Sequence, residues 1–182
     1  MLAGLLGGVV GAMLFDGDDF PADDSADAGF LRDMSTHHAQ AVRMASYAYR
    51  VSDDEAIRTL AYDILTTQQG QIGIMTGWLD VWGLSTTSAD GPMAWMGHEM
   101  SGPMPGMATA EELANLESLT GPELDREFLR LMIAHHEGGV GMAEAGVELG
   151  ESDQVKDLAG AILETQGGET AYMKQMLAER GG

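Results

Sequence analysis

The chain contains no cysteine. Thiolate nucleophiles, cysteine-ligated zinc and iron–sulfur clusters are therefore excluded, and disulfide usage says nothing about redox compartment. Basic residues are scarce: 9 Lys and Arg stand against 29 Asp and Glu, a formal charge of −20. Binding a phosphate backbone needs a Lys/Arg surface, so no nucleic-acid partner is expected. The acidic excess suits cations as ligands, and it also serves simply as a solvated surface. No alternating strand pattern occurs, and no Glu-x-x-His motif of the kind di-iron bundles carry. Methionine, by contrast, is abundant, with 14 residues. Met fills gaps in cores, so number alone does not assign it a role.

Residues 1–15, MLAGLLGGVVGAMLF, form an uncharged run. The run is shorter than the roughly 20 residues that span a bilayer and suits the apolar core of an export signal. No basic residue precedes it and no clear cleavage site follows. The expectation is an exported or membrane-anchored protein of the cell envelope, with 1–27 as signal or anchor remnant and acidic spacer. The competing reading is a buried N-terminal helix.

An internal repeat organises the remainder. At an offset of 98 residues, FLRDMSTHHAQAVRMA (30–45) lies on FLRLMIAHHEGGVGMA (128–143), with nine of 16 positions identical. The same offset aligns LAYDILTTQQGQIGIM (60–75) with LAGAILETQGGETAYM (158–173), with eight of 16 identical. Helical spacing of apolar residues places two helices in each half. Ser52 to Glu55 reads as a capping box, Gly83 follows the second helix, Thr120 to Glu123 opens the third, and Ser152 with Asp153 opens the fourth. Short connections make each half an antiparallel hairpin. The predicted fold is all-α: a four-helix bundle over 28–182, with halves 28–82 and 121–180 and a long Met-rich linker at 83–120. Within that linker, Thr109 to Leu113 reads as a second capping box, and Gly91 to Met107 as loop. Gly138, Gly139 and Gly141 weaken the third helix, which points to close packing or ligand approach there.

Chemistry concentrates on two doublets, His37-His38 and His135-His136. Each has a Met three residues before it (Met34, Met132) and another six after it (Met44, Met142). On a helix, Met34, His37 and His38 share one turn. Met44 lies about 10 Å further along by helical rise, which suits a neighbouring layer or core. Counting from the hairpin turn places Gln68, and equivalently Gln166, level with the doublets. Either is a candidate acceptor for the second nitrogen of a metal-bound imidazole. Met75 and Met173 lie about two turns beyond and join a site only if the helices shift. Thioether with imidazole selects Cu(I), and by the same softness Ag(I). Zinc prefers more His or carboxylate. A single buried His is more simply a hydrogen-bonded core residue, but two matching frames favour a metal. In the linker, Met93, Met96, His98, Met100, Met104 and Met107 are either weak capture ligands or a lid anchored by Trp95. Of these, Met96, His98 and Met100 are the candidate ligands.

The repeated Met-x2-His-His-x5-Met frame, followed by Leu-x6-Thr-Gln and a downstream Met, resembles the domain-of-unknown-function 305 family. The resemblance covers about residues 28 to 180, apart from most of the Met-rich linker. It implies a ferritin-like four-helix bundle and, for some members, exported copper-binding proteins of the copper-resistance type. It maps the frame onto Met34, His37, His38, Met44, Met132, His135, His136 and Met142. Thr66 stands where the family has an acidic residue. The reading is a non-enzymatic copper binder, of Cu(I) and also Ag(I), acting in buffering, resistance or trafficking. Its partners are metal ions and a copper-trafficking or membrane-complex protein. The alternatives are an anchored bundle serving as a membrane-complex subunit and a ferritin-like oxidase.

Overall fold

Four long helices carry the molecule, and their ends are written into the sequence as caps. A computed structural model describes residues 20–97 and 102–181. Helix α1 spans Ala26–Val51, α2 Glu55–Val81, α3 Ala110–Leu116, α4 Gly121–Leu149 and α5 Asp153–Glu179, with a 3-10 turn at Ala94–Met96. Among the described residues there is no strand. The N-terminal run, His98 and Met100 lie outside the described residues. Among those described, no helix is long and apolar enough to cross a membrane.

The Ser25 side chain accepts from Ala28 N, and Thr109 with Glu112 forms a complete capping box. Pro122 sits in the first turn of α4, where its missing N–H costs nothing. Gly83, at φ +70°, closes α2 as Leu84 N bonds back to Leu79 O. The box expected at Ser52 is not the cap of α2. Asp54 is the N-cap and accepts from Ala56 N and Ile57 N. Ser52 instead closes α1, and its hydroxyl accepts from Asp54 N. Asp54 stands next to the helix start, so the shorter reach wins.

Helix α1 packs along α2, α4 along α5, and α1 against α4. The buried stripe of α1 runs through Ala28, Leu31, Met34, His38, Ala41, Ala45 and Ala48, steps of three and four that keep one face inward. Two apolar clusters result. One contains Phe30, Leu31, Met34, Met75, Leu79 and Ile162. The other contains Met44, Ile57, Ile64, Phe128, Met132 and Met173. The 98-residue offset relates Phe30 to Phe128, one in each cluster.

Two buried carboxylates tie each hairpin to the tip of the other. Asp27 accepts from the backbone N–H of Glu151 and Ser152 at the start of α5. Asp125, its equivalent by the offset, accepts from the Ser52 hydroxyl at 2.6 Å. Charge-assisted bonds to buried backbone leave costly orphans when one partner is removed. Asp27→Ala should therefore lower stability by about 1–3 kcal/mol. Urea unfolding should show a lower midpoint at unchanged slope. A loss below about 0.5 kcal/mol, the range of ordinary surface changes, would mean the clamp is dispensable.

Candidate metal centre

The two apolar clusters meet at a polar layer. Helices α1 and α4 bring His37 onto His135, ring centroids 3.8 Å apart and planes 34° from parallel. His135 and His136 centroids lie 6.3 Å apart. All four doublet imidazoles are fully buried. Burial, with neighbouring imidazoles adding to it, lowers the basicity of His37 to about 4 and of His38 to about 3. His135 is driven well below the ordinary range by the same causes. His37, His38 and His135 are therefore neutral at pH 7, so each keeps a nitrogen lone pair.

Hydrogen bonds orient three of the rings. His37 Nε2 donates to the Pro105 carbonyl at 3.1 Å. His38 Nε2 bonds Gln71 Oε1 at 2.8 Å, and His136 Nε2 donates to Glu169 Oε2 at 2.8 Å. The Nδ1 atoms of all four rings have no hydrogen-bond partner in the protein, nor has Nε2 of His135. The same holds for both amide ends of Gln68 and Gln166 and for the Thr170 hydroxyl. Such a concentration of bare polar atoms marks a place where an ion or water is expected.

Gln68 and Gln166 are therefore buried in the layer, but they do not accept from the imidazoles. That role falls to Gln71 and Glu169, one turn later. Helical side chains lean toward their own N-terminus, and α1 and α2 run antiparallel. His38 thus leans toward the α2 C-terminus, while Gln71 reaches back to meet it. Counting Cα levels from the turn omitted this lean. The repeat carried a usable signal, because residues 71 and 169 are separated by the same 98 positions and are both long polar side chains.

The thioethers flank the layer. Met34, Met75 and Met142 belong to one cluster, and Met44, Met132 and Met173 to the other. The offset exchanges the two sets member for member. Each set takes two Met from one hairpin and one from the other. Met75 and Met173 are core members of the same clusters as the doublet-frame Met residues. Met34 precedes His38, and Met132 precedes His136, by one turn. Among the described residues no group of three or more His, Asp or Glu side chains is placed to hold a metal.

The linker follows α1 as a strap. Trp95 Nε1 and Met93 N both donate to Asp33, and Trp95 meets Phe30 edge-on at 5.9 Å. Gln40 holds Ala108 through both its N–H and its carbonyl. Tyr47 donates to Leu119 O. Met93 and Met104 are buried, and Met96 packs on the Met34 cluster. The expected loop is thus an anchored cover in its described parts. Gly106 and Gly138 permit it: a Cβ on Gly138 would stand 2.0 Å from Pro105 O, and one on Gly106 2.2 Å from Ala134 O. A Cβ on Gly139 would stand 2.3 Å from Gln166 Oε1 and 3.2 Å from His37 Cε1, whereas one on Gly141 meets nothing within 4 Å.

Fold and site together define an all-helical bundle with a buried imidazole layer between thioether clusters. The family model for a domain of unknown function, DUF305, matches residues 27–177, and the chain belongs to that family. A solved DUF305 protein from Streptomyces coelicolor, a candidate secreted protein, is 49% identical, with 88% of this chain and 97% of that one covered and a TM-score of 0.85. A DUF305 fragment from Deinococcus radiodurans is 33% identical over 87% of this chain and 99% of its own, with a TM-score of 0.74. CopM in its Cu(I)-bound form is 28% identical over 86% of this chain and 98% of its own, with a TM-score of 0.65, and CopM is also solved with Ag and with Cu(II). No curated protein matches the chain.

The depressed histidines predict a pH dependence. Unfolded, His titrates near 6.5; folded, His37 and His38 titrate near 4 and 3. Between those values the unfolded chain binds more protons, so stability falls as pH drops from about 6.5. Each such group contributes a slope of up to about 1.4 kcal/mol per pH unit. Asp33 and Asp125, raised by burial, act in the opposite sense. The informative quantity is therefore the difference between wild type and His38→Leu, both metal-free, by urea unfolding from pH 7 to 5. The variant should lose part of the slope; equal slopes would mean His38 does not enter the core neutral.

Proposed function

We propose that this chain holds soft metal ions, Cu(I) and Ag(I), outside the cytoplasm, as a non-enzymatic buffer or carrier. One observation carries the reading: a buried layer of imidazoles with bare Nδ1 atoms lies between two exchange-related Met triplets. Neutral imidazole and thioether are soft donors, and the combination favours Cu(I) over Zn(II). The acids buried in the core, Asp27 and Asp125, are committed to the hairpin tips. That leaves no carboxylate set of the kind a di-iron oxidase uses among the described residues. The likeness to CopM, solved with Cu(I), Cu(II) and Ag, supports a copper-related role. The export-like N-terminal run and the likeness to a candidate secreted protein support the location. His37, His38, His135 and His136 supply nitrogen, and Met34, Met75, Met142, Met44, Met132 and Met173 supply sulfur. The strap, with Met96 at its edge, covers the layer and feeds it.

Replacing Met by Leu conserves volume and removes only sulfur, at a stability cost below about 1.5 kcal/mol per site. Met34→Leu with Met75→Leu and Met142→Leu should weaken Ag(I) binding in that half by about tenfold or more, or ~1.4 kcal/mol. Competition against a Cu(I) chelator, with Zn(II) as the comparison ion, measures it. Zinc binding as tight as Cu(I), or a folded triple variant with unchanged Ag(I) affinity, would remove the soft-site assignment.

A further inference from the structure

The His doublets and their Met frames recur in both halves, but the acceptor behind the second histidine of each doublet differs. His38 Nε2 meets an amide oxygen, Gln71 Oε1, at 2.8 Å. His136 Nε2 meets a carboxylate oxygen, Glu169 Oε2, at the same 2.8 Å. Residues 71 and 169 are equivalent by the repeat offset. The bond lengths agree and both acceptors are partly buried, Glu169 with 20% of its side chain exposed. What differs is charge and donor capacity. A carboxylate only accepts, so His136 Nε2 is the donor of that bond, and its Nδ1 has no partner in the protein. An amide carries both a donor and an acceptor end, so it fixes the tautomer of His38 less strictly. A carboxylate behind an imidazole also raises the basicity of the ligating nitrogen.

Resting on the soft-metal reading above, we propose that the two half-sites are unequal. Glu169 makes the His136 half, with Met44, Met132 and Met173, favour a divalent ion more than the His38 half does. Gln71 gives the His38 half, with Met34, Met75 and Met142, no such bias. Glu169 is a positioning and specificity-determining residue that acts through His136. The argument is electrostatic. At a fixed distance, attraction to one negative charge doubles when the ion's charge doubles. The logarithm of the affinity change from Glu169 is therefore about twice as large for a 2+ ion as for a 1+ ion. Loss of a hydrogen-bonded partner behind a ligand commonly costs 10–100-fold in metal affinity. For Cu(II) that range is the expectation; for Ag(I) it becomes its square root, about 3–10-fold.

The test uses the whole chain, wild type, Glu169→Gln and Gln71→Glu. These are near-isosteric exchanges at partly buried positions, with helicity followed by circular dichroism. Ag(I) and Cu(II) affinities come from competition titrations, and Cu(II) environments from electron paramagnetic resonance. Glu169→Gln should weaken Cu(II) binding by a larger factor than Ag(I) binding. Gln71→Glu should strengthen Cu(II) binding by a larger factor than Ag(I) binding. Equal fold-changes for the two ions in folded Glu169→Gln, or in folded Gln71→Glu, would overturn the inequality while leaving the soft-metal site standing. A wild-type chain that binds no Ag(I) would overturn the reading of the site itself and this inference with it.

Discussion

The contact on which the rest depends is the stacking of His37 on His135, 3.8 Å apart at the crossing of α1 and α4. Imidazoles this close and this buried cannot both be charged, and burial holds them neutral. A polar layer in a bundle core is costly: each unpartnered buried donor or acceptor forfeits about 1–3 kcal/mol. Several such atoms occur together here, on the rings and on Gln68 and Gln166. A core selected for stability alone would replace them with aliphatic side chains, as it does one or two turns away at Ala41, Ile64 and Ile162. Their retention in both halves agrees with a ligand that completes the layer.

The surrounding structure holds that layer in register. Asp27 and Asp125 fasten each hairpin to the tip of the other, which limits sliding of α1 against α4. The strap adds restraint on one side only. Through Asp33, Gln40 and Tyr47, one face of α1 carries the linker along its length, and Pro105 reaches the His37 ring. His135, the equivalent ring, makes no such bond to the linker. The bundle is therefore nearly symmetric in its core and asymmetric in its cover. An ion approaching His37 meets the Pro105 hydrogen bond, whereas one approaching His135 meets a ring with both nitrogens unpartnered.

Much of the fold was legible because it rests on local signals. The 98-residue offset gave two hairpins, and caps at Thr109, Pro122 and Asp153 marked helix starts that the structure places within a residue or two. Ser52 misled because its hydroxyl serves a clamp from Asp125, 73 residues away, which no local pattern encodes. In the site, burial of the four histidines followed from their place on the apolar stripe. The partners Gln71 and Glu169 were missed because side-chain lean, rather than Cα level, decides who meets whom across antiparallel helices. The grouping of Met75 with Met34 and Met142 depends on how the two hairpins cross, information that a single helix pattern does not contain. The strap's attachment was only half visible, since Asp33 and Gln40 read as ordinary polar positions until the linker is laid beside them.

The central claim is that the imidazole layer and its flanking thioethers together hold a soft ion. X-ray absorption at the copper edge, on protein loaded with Cu(I) under reducing conditions, tests it most directly. The account predicts a first shell of mixed sulfur and imidazole nitrogen that keeps its sulfur when Met96 and Met100 of the linker sequence are changed to Leu. A shell of nitrogen and oxygen alone, or one whose sulfur disappears with those two residues, would contradict it.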